Sequence, residues 1–267
     1  MTAAGNEATA REGACAAGFW RWLLLGVVFA MPACSAPEDA HDERDWKTMR
    51  SQMLEEIKDD YRRSAGWTGL RSLSAEVLAA LDAVPRHAFV PADVRDAAYR
   101  NHPLPIGRGQ TISQPFIVAL MTDLLEIDSE ARVLELGTGS GYQAAVLGEL
   151  VQSVHTVEIV AVLAEQARER LATLGYDNVH VRAGDGVMGW PEHAPYDGVI
   201  VTAAGIEIPQ ALIDQLKPGG RLVMPVGAQH ETQDLIVMTR GEDGSLTRRS
   251  TIPVRFVPIT GDNMPRR

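Results

Sequence analysis

A chain of 267 residues with 45% hydrophobic and 22% charged residues fits one substantial globular domain with an appended segment, and argues against disorder throughout. Its formal net charge of −10 makes nucleic acid a poor partner, because nonspecific affinity for nucleic acid comes chiefly from Lys and Arg. The only cysteines, Cys15 and Cys34, lie near the N-terminus, so the globular part has no disulfide, thiolate metal site or cysteine nucleophile, and no metal is expected.

Residues 1–36 have the layout of a signal peptide. Arg21 precedes the apolar run WLLLGVVFAM at 22–31. This run is shorter than the roughly 20 apolar residues of a membrane-spanning helix, but it is within the about 7 to 15 residues of a signal core. The sequence therefore predicts export to the periplasm without a transmembrane span.

Cys34 follows Ala33 in an arrangement similar to the lipidation site of bacterial lipoproteins, which makes Cys34 a candidate lipid anchor. Glu7 and Glu12 are atypical of a signal peptide. Two alternatives to export are therefore a start codon assigned too far upstream and a buried apolar helix. The sequence leaves the true start codon open.

Residues 37–100 are predicted to form a polar linker followed by an N-terminal helical cap. Apolar side chains recur at helical spacing between residues 46 and 61, which predicts an amphipathic helix whose Met and aromatic stripe packs against the core. Ser74 begins a second apolar helix. This helix should end before Pro85, since proline disfavours helical conformation in the preceding residue.

Residues 101–267 are predicted to form the main domain. The stretch NHPLPIGRGQTISQP at 101–115 contains three prolines and two glycines, which predicts an irregular loop before a helix that begins at about Pro115. From residue 131 onward, short β-branched runs alternate with helical ones. This alternation predicts an α/β fold with a doubly wound, mostly parallel sheet, in which ligands bind beyond the carboxyl ends of the strands.

Glu135, Gly137, Gly139 and Gly141 form the pattern E-x-G-x-G-x-G where the strand RVLEL meets the following helix. Glycines at such a turn let the backbone bend sharply and approach a ligand closely. The spacing differs from the G-x-G-x-x-G of dinucleotide-binding enzymes, whose helix faces a pyrophosphate. It therefore favours a ligand without phosphates.

Two further strand ends carry acidic residues. Glu158 ends HTVE about 20 residues after the glycine turn, where its carboxylate can accept hydrogen bonds from both ribose hydroxyls. Asp185 and Gly186 end the next strand, at a position suited to the exocyclic amine of adenine. Glycines alone would also fit a tight turn that binds no ligand. Together with Glu158 and Asp185, however, residues at three successive strand ends predict binding of an adenosine.

The glycine turn and the acidic residues together resemble the class I S-adenosylmethionine-dependent methyltransferases, whose Rossmann-like sheet ends in an antiparallel hairpin. The runs RLVMPVG and DLIVMTR would supply the strands of this hairpin. The stretch PIGRGQTISQP is similar to the signature of protein-L-isoaspartate O-methyltransferases. Further matches to that family are VLELGTGSGYQ, GDG followed by W, VTAA followed by EIP, LKPGGRLVMPVG and VRFVPI, and the resemblance covers about residues 73–260.

The resemblance implies a protein carboxyl O-methyltransferase that uses S-adenosylmethionine. Its substrates would be damaged proteins and peptides, in which it would methylate the free carboxylate of L-isoaspartyl residues and so initiate repair. Ser113 corresponds to the active-site residue of the family. A carboxylate is already ionised at neutral pH and needs orientation rather than a strong base, which a serine hydroxyl can provide. The alternative role for Ser113 is the N-cap of the helix that begins at Pro115.

The residues assigned to the site fall into two overlapping groups. Cofactor binding is expected of Thr111, Glu135, Gly137, Thr138, Gly139, Ser140, Gly141, Glu158, Ile159, Asp185 and Gly186, and substrate binding of Thr111, Ile112, Ser113, Thr202 and Val226. One departure from the family is that Gly205 and Ile206 stand where many members have two prolines. This difference indicates a more flexible loop and a changed substrate preference.

Several alternatives stay open. A methyltransferase of the same fold could act on another carboxylate or a small molecule, and a nucleoside-binding envelope protein could keep the pocket without turnover. A nicotinamide-dependent dehydrogenase is disfavoured by the glycine spacing. The family is ordinarily cytoplasmic, whereas residues 1–36 indicate export, and the sequence leaves the oligomeric state and the physiological targets open.

Overall fold

The structure is a computed structural model that describes residues 39–228 and 231–261. The signal-like segment 1–36, with Cys34, lies outside the described residues. Within the part of the chain that the structure describes, no helix combines the length and the apolar character needed to cross a membrane.

The elements follow the predicted alternation of strands and helices. The helices are α1 (Asp39–Thr68), α2 (Ala75–Ala83), α3 (Pro115–Leu125), α4 (Tyr142–Gly148), α5 (Ala161–Thr173) and α6 (Gln210–Asp214). The strands are β1 (Leu104–Gly107), β2 (Gln110–Ile112), β3 (Arg132–Leu136), β4 (Ser153–Glu158), β5 (Val179–Ala183), β6 (Tyr196–Val201), β7 (Leu216–Val226), β8 (Gln233–Arg240) and β9 (Leu246–Val254). Short 3-10 turns cover Arg86–Phe89, Ala92–Ala97, Gly186–Met188 and Pro191–His193.

The central sheet has seven strands in the order β5-β4-β3-β6-β7-β8-β9. Neighbours from β5 to β7 run parallel, whereas β7 with β8 and β8 with β9 are antiparallel. The parallel sheet and its antiparallel hairpin are therefore confirmed. The edge strand β9 was not predicted, because its first five residues are exposed and polar side chains dominate them, which leaves no apolar alternation to detect.

Both faces of the sheet are covered by apolar side chains. Val133 packs in the larger core with α3 and α4, whereas the next residue, Leu134, packs in a second core with Leu212 of α6. Successive side chains of a strand point to opposite faces, so this division places helices on both sides of β3. The doubly wound architecture is thereby confirmed.

One carboxylate of the main domain accepts hydrogen bonds from two parts of the N-terminal cap. Tyr61 of α1 donates a hydrogen bond to Asp123 Oδ2 at 2.6 Å, and Ser74 Oγ donates to Asp123 Oδ1 at 2.5 Å. Ser74 also caps α2, since its hydroxyl accepts the Val77 N–H at 3.2 Å. The predicted stripe packs as expected, with Ile57 and Tyr61 fully buried, although α1 is longer than the predicted span of 46–61.

The stretch at 101–115 is more regular than predicted. Strands β1 and β2 pair antiparallel, and the chain turns between them with positive φ at Gly107, Arg108 and Gly109. Because glycine adopts positive φ without steric cost, this tip closes a hairpin where an irregular loop was expected. Helix α3 begins at Pro115 as predicted, and Asn101 Oδ1 accepts the N–H of Phe116 at 3.0 Å.

Candidate active site

A pocket lies at the carboxyl ends of β3, β4 and β6, where the sequence predicts ligand binding. It contains about 830 Å³, part of which is open to solvent. Its walls are the glycine turn after β3, β2 with the residues that follow it, and segment 257–260. Of the fifteen residues assigned from the sequence, eleven line this pocket, namely Thr111, Ile112, Ser113, Gly137, Thr138, Gly139, Ser140, Glu158, Ile159, Gly186 and Thr202.

The glycine turn is closely packed against the end of β6. Gly137 has a φ of 93°, and a Cβ at this position would lie 2.4 Å from Thr202 Oγ1. The same Thr202 hydroxyl donates a hydrogen bond to the Gly137 carbonyl at 2.7 Å. Gly137 is therefore required both for its backbone conformation and for the space that Thr202 occupies.

Glu158 connects the end of β4 to the glycine turn. Its Oε2 accepts the Gly139 N–H at 2.8 Å, and its Oε1 accepts the Val160 N–H at 2.9 Å. The side chain is buried, yet it borders the pocket. An ionised carboxylate has about four acceptor sites, so these two bonds leave others for a ligand.

Glu135 lies beneath the glycine turn and does not line the pocket. Its Oε2 accepts a hydrogen bond from Thr156 Oγ1 at 2.6 Å, and Thr156 in turn lies 2.6 Å from Thr138 Oγ1. The pKa of Glu135 is raised to about 8. Burial is the main cause, the hydrogen bond from Thr156 lowers the pKa in part, and the nearby charge of Glu158 raises it. At neutral pH Glu135 is therefore largely protonated.

Three more of the assigned residues lie outside the pocket lining. Gly141 begins α4 with a φ of 90°, and a Cβ there would lie 3.2 Å from Leu171 Cδ1. Asp185 accepts the N–H of Val187 at 3.0 Å, which fixes a residue that does line the pocket. Val226 is a buried residue at the end of β7. These three residues lie beside residues of the pocket wall.

The loop at Gly205 is fixed by its neighbours. The Gly205 N–H donates to the Pro225 carbonyl at 3.2 Å, and the Gly205 carbonyl accepts the Gly227 N–H at 2.9 Å. A Cβ at Gly205 would lie 2.6 Å from Met224 Cε. Glycine at this position thus permits close packing against β7, and a proline would lose the first of these bonds.

Ser113 is half-buried and lines the pocket. The N-cap position of α3 is occupied by Gln114, whose side chain forms no capping bond, and Asn101 instead accepts the N–H of Phe116. The capping alternative for Ser113 is therefore wrong. Its carbonyl accepts a hydrogen bond from Arg86 Nη2 at 2.7 Å.

Sequence reasoning missed the mostly apolar remainder of the pocket wall. The segment near the C-terminus reaches the pocket because Ala204 pairs with it: the Ala204 N–H donates to Val257 O, and the Ile259 N–H donates to Ala204 O, both at 2.8 Å. The match of VRFVPI to the family was the only signal for this segment. The missed residues are Gln110, Val118, Leu136, Tyr142, Gln143, Val157, Val187, Ala203, Val257, Pro258, Ile259 and Thr260.

The site offers polar contacts from hydroxyls, amides and one carboxylate. Among the described residues that line the pocket, none is Lys or Arg. Within residues 39–228 and 231–261, no group of three His, Cys, Asp or Glu side chains is arranged to hold a metal ion.

The strand order, the glycine turn after β3 and the carboxylate at the end of β4 define a class I S-adenosylmethionine-dependent methyltransferase. A family model described as Protein-L-isoaspartate(D-aspartate) O-methyltransferase matches residues 68–264. The chain belongs to this family, as the motifs predicted.

Relatives and solved structures agree with this assignment. Protein-L-isoaspartate O-methyltransferase 2 of Syntrophobacter fumaroxidans is 52% identical over 239 residues, covering 90% of this chain and 96% of the relative. The protein of the same name from Polaromonas sp. is 56% identical over 209 residues, covering 78% of this chain and 99% of the relative.

A solved protein-L-isoaspartate O-methyltransferase superposes with a TM-score of 0.70 at 29% identity, covering 80% of this chain and 66% of its own. A Plasmodium falciparum structure in complex with S-adenosyl-L-homocysteine has a TM-score of 0.65 at 23% identity, covering 78% of this chain and 97% of its own. The latter similarity shows the shared fold.

We expect Gly137→Ala to weaken the binding of S-adenosylhomocysteine by about tenfold or more, because the added Cβ strains a positive φ and displaces Thr202. Isothermal titration calorimetry measures this affinity. Gly175→Ala is the matched control, since Gly175 also has positive φ but a Cβ added there would have no atom within 4 Å. Equal affinities of the Gly137→Ala variant and the parent would contradict the role given to this turn.

We expect Glu135→Gln to flatten the dependence of Tm on pH in the ligand-free protein. The folded-state pKa is raised from 4.5 to about 8, so the contribution of Glu135 to stability is complete below about pH 4.5 and is lost as the pH rises through about 8. Thermal unfolding between about pH 5 and pH 8.5 tests this, with the exposed Glu56→Gln as control. The prediction fails if the parent and Glu135→Gln lose Tm in parallel.

Proposed function

We propose that this chain transfers the methyl group of S-adenosylmethionine to the free carboxylate of L-isoaspartyl residues in damaged proteins and peptides, and thereby initiates their repair. The observation that carries the proposal is that residues 111–113 of the TISQP signature line the same pocket as the glycine turn. A carboxylate bound by residues 111–113 would therefore lie next to a methyl donor bound by the glycine turn.

The pocket fits S-adenosylmethionine. We assign the remaining acceptor sites of Glu158 to the ribose hydroxyls, since its two hydrogen bonds to described residues are both to backbone amides. The turn at 137–141, with Thr138 and Ser140, is assigned to the methionine part, because its glycines leave the backbone open to close approach. Ile159 and Gly186, with Val187 fixed by Asp185, are assigned to the adenine.

S-adenosylmethionine, when bound, supplies an electrophilic methyl group on a sulfonium. The task of the chain is to orient the substrate carboxylate, which is already ionised at neutral pH and needs no general base. We assign this task to the Ser113 hydroxyl as a hydrogen-bond donor, with Thr111 and Ile112 beside it. We also assign Thr202, which lines the pocket, and Val226, at the end of β7, to the substrate side. Much of the remaining pocket wall is apolar, and an apolar surrounding strengthens such charge-assisted contacts.

The reaction is tested by incubating the full-length chain with radiolabelled S-adenosylmethionine and paired peptides that differ only in L-isoaspartate or normal aspartate at one position. We expect base-labile label only in the isoaspartyl peptide. Ser113→Ala should lower kcat by about tenfold or more, because it removes the donor that orients the carboxylate, and should leave the Kd for S-adenosylhomocysteine within about twofold.

Ser129→Ala, at an exposed serine outside the pocket, is the control for this substitution. Label in both peptides would sink the substrate assignment, and cofactor binding without any transfer would favour a nucleoside-binding protein. Full activity of Ser113→Ala would contradict the role of Ser113 alone.

We also propose that residues 1–36 direct export and that Cys34 becomes lipidated. The support is the sequence layout, with Arg21 before the short apolar run and Cys34 directly after Ala33. We expect the full-length chain, expressed in a Gram-negative host, to fractionate with the envelope and to take up labelled palmitate. Cys34→Ser should abolish the label and keep export. Recovery of the unprocessed chain in the cytoplasm would contradict both proposals.

A further inference from the structure

Arg86 is a fully buried arginine next to the active site. It lies at the start of the Arg86–Phe89 turn and has no solvent exposure. Its Nε donates a hydrogen bond to the Ala98 carbonyl at 2.8 Å, and its Nη2 donates to the Ser113 carbonyl at 2.7 Å. Its Nη1 is buried and has no hydrogen-bond partner in the part of the chain that the structure describes. The guanidinium therefore contacts the backbone of the residue assigned to orient the substrate.

No carboxylate within residues 39–228 and 231–261 forms an ion pair with Arg86. Among the described residues, the groups that contact its guanidinium are two backbone carbonyls and the Tyr142 side chain, whose ring centroid lies 4.6 Å from Arg86 Cζ. Tyr142 is itself buried and lines the pocket. Burial lowers the pKa of Arg86, but an arginine stays charged at neutral pH.

A buried, unpaired charge is costly, and folded proteins seldom keep one unless a partner arrives from outside. The reaction supplies such a partner, because its substrate carries a free carboxylate into the pocket that Ser113 and Tyr142 line. A cation in a low-dielectric surrounding attracts this anion more strongly than a cation in water would. The hydrogen bond from Arg86 to the Ser113 carbonyl also fixes the Ser113 backbone. The Arg86 side chain therefore both positions Ser113 and attracts the substrate carboxylate.

We propose that Arg86 is a positioning residue for methyl transfer, which holds Ser113 through its carbonyl and selects substrates that carry a carboxylate. The inference rests on the proposed function. Charge on the carboxylate decreases as the methyl group is transferred, so a nearby cation stabilises the bound substrate more than the transition state. Arg86 therefore acts mainly on substrate affinity and thus on KM, whereas its hold on Ser113 acts on kcat.

The test compares the binding of two peptides in the presence of S-adenosylhomocysteine, which prevents turnover. One peptide carries L-isoaspartate with its free carboxylate, and the other carries the corresponding carboxamide. We expect the parent to prefer the carboxylate by about tenfold or more, and Arg86→Met to lower this ratio to near one. Arg86→Lys, which keeps the charge, should retain part of the preference and show a lower kcat/KM than the parent.

Arg240→Met is the matched control, since Arg240 also donates to a backbone carbonyl, Leu216 O at 2.7 Å, and does not line the pocket. It should change neither the ratio nor the Kd for S-adenosylhomocysteine. A parent-like ratio in Arg86→Met, or a parent without preference, would overturn the inference. If Arg86→Met does not fold, the test depends on Arg86→Lys. A kcat/KM of Arg86→Lys equal to that of the parent would overturn the positioning role. A parent that methylates no isoaspartyl peptide would instead contradict the proposed function.

Discussion

The hydrogen bond between the Glu158 carboxylate and the Gly139 N–H joins two neighbouring strand ends, and the remainder of the site is arranged around it. A second bond, to Val160, fixes the other carboxylate oxygen. The glycine turn can bend toward Glu158 only because Gly137 has no Cβ where the Thr202 hydroxyl lies. Parallel strands bring these groups to one edge of the sheet, which makes the pocket a consequence of the topology.

Two buried ionisable groups contact residues that are part of the site or lie beside it. Glu135 lies under the glycine turn with a raised pKa, which keeps it largely neutral. Arg86 lies behind Ser113 and stays charged, without a carboxylate partner among the described residues. A neutral group on the side assigned to a sulfonium and a cation on the side assigned to a carboxylate give the pocket an electrostatic direction. Because the two charges cancel during methyl transfer, such a direction favours binding of the substrate carboxylate more than it favours the transition state.

The helical cap and the hairpin connect the substrate segment to the sheet. Asp123 links α1 and α2 to α3, and Asn101 caps α3 directly after the substrate segment. Because Asn101 caps α3, Ser113 does not have the capping role that its position before Pro115 suggested. The segment is held instead by side chains that are distant in sequence, such as Arg86, which donates to the Ser113 carbonyl.

The sequence alone determined the alternation of strands and helices, the glycine turn, the acidic strand ends and the family, because all of these are local patterns or short motifs. Only the tertiary structure decided that β9 forms the sheet edge, that Ala204 brings segment 257–260 into the pocket, and that Arg86 contacts Ser113. Each of these depends on backbone groups that meet across long sequence separations. Backbone carbonyls and amides are the same in every residue, so residue identity does not encode which of them will pair.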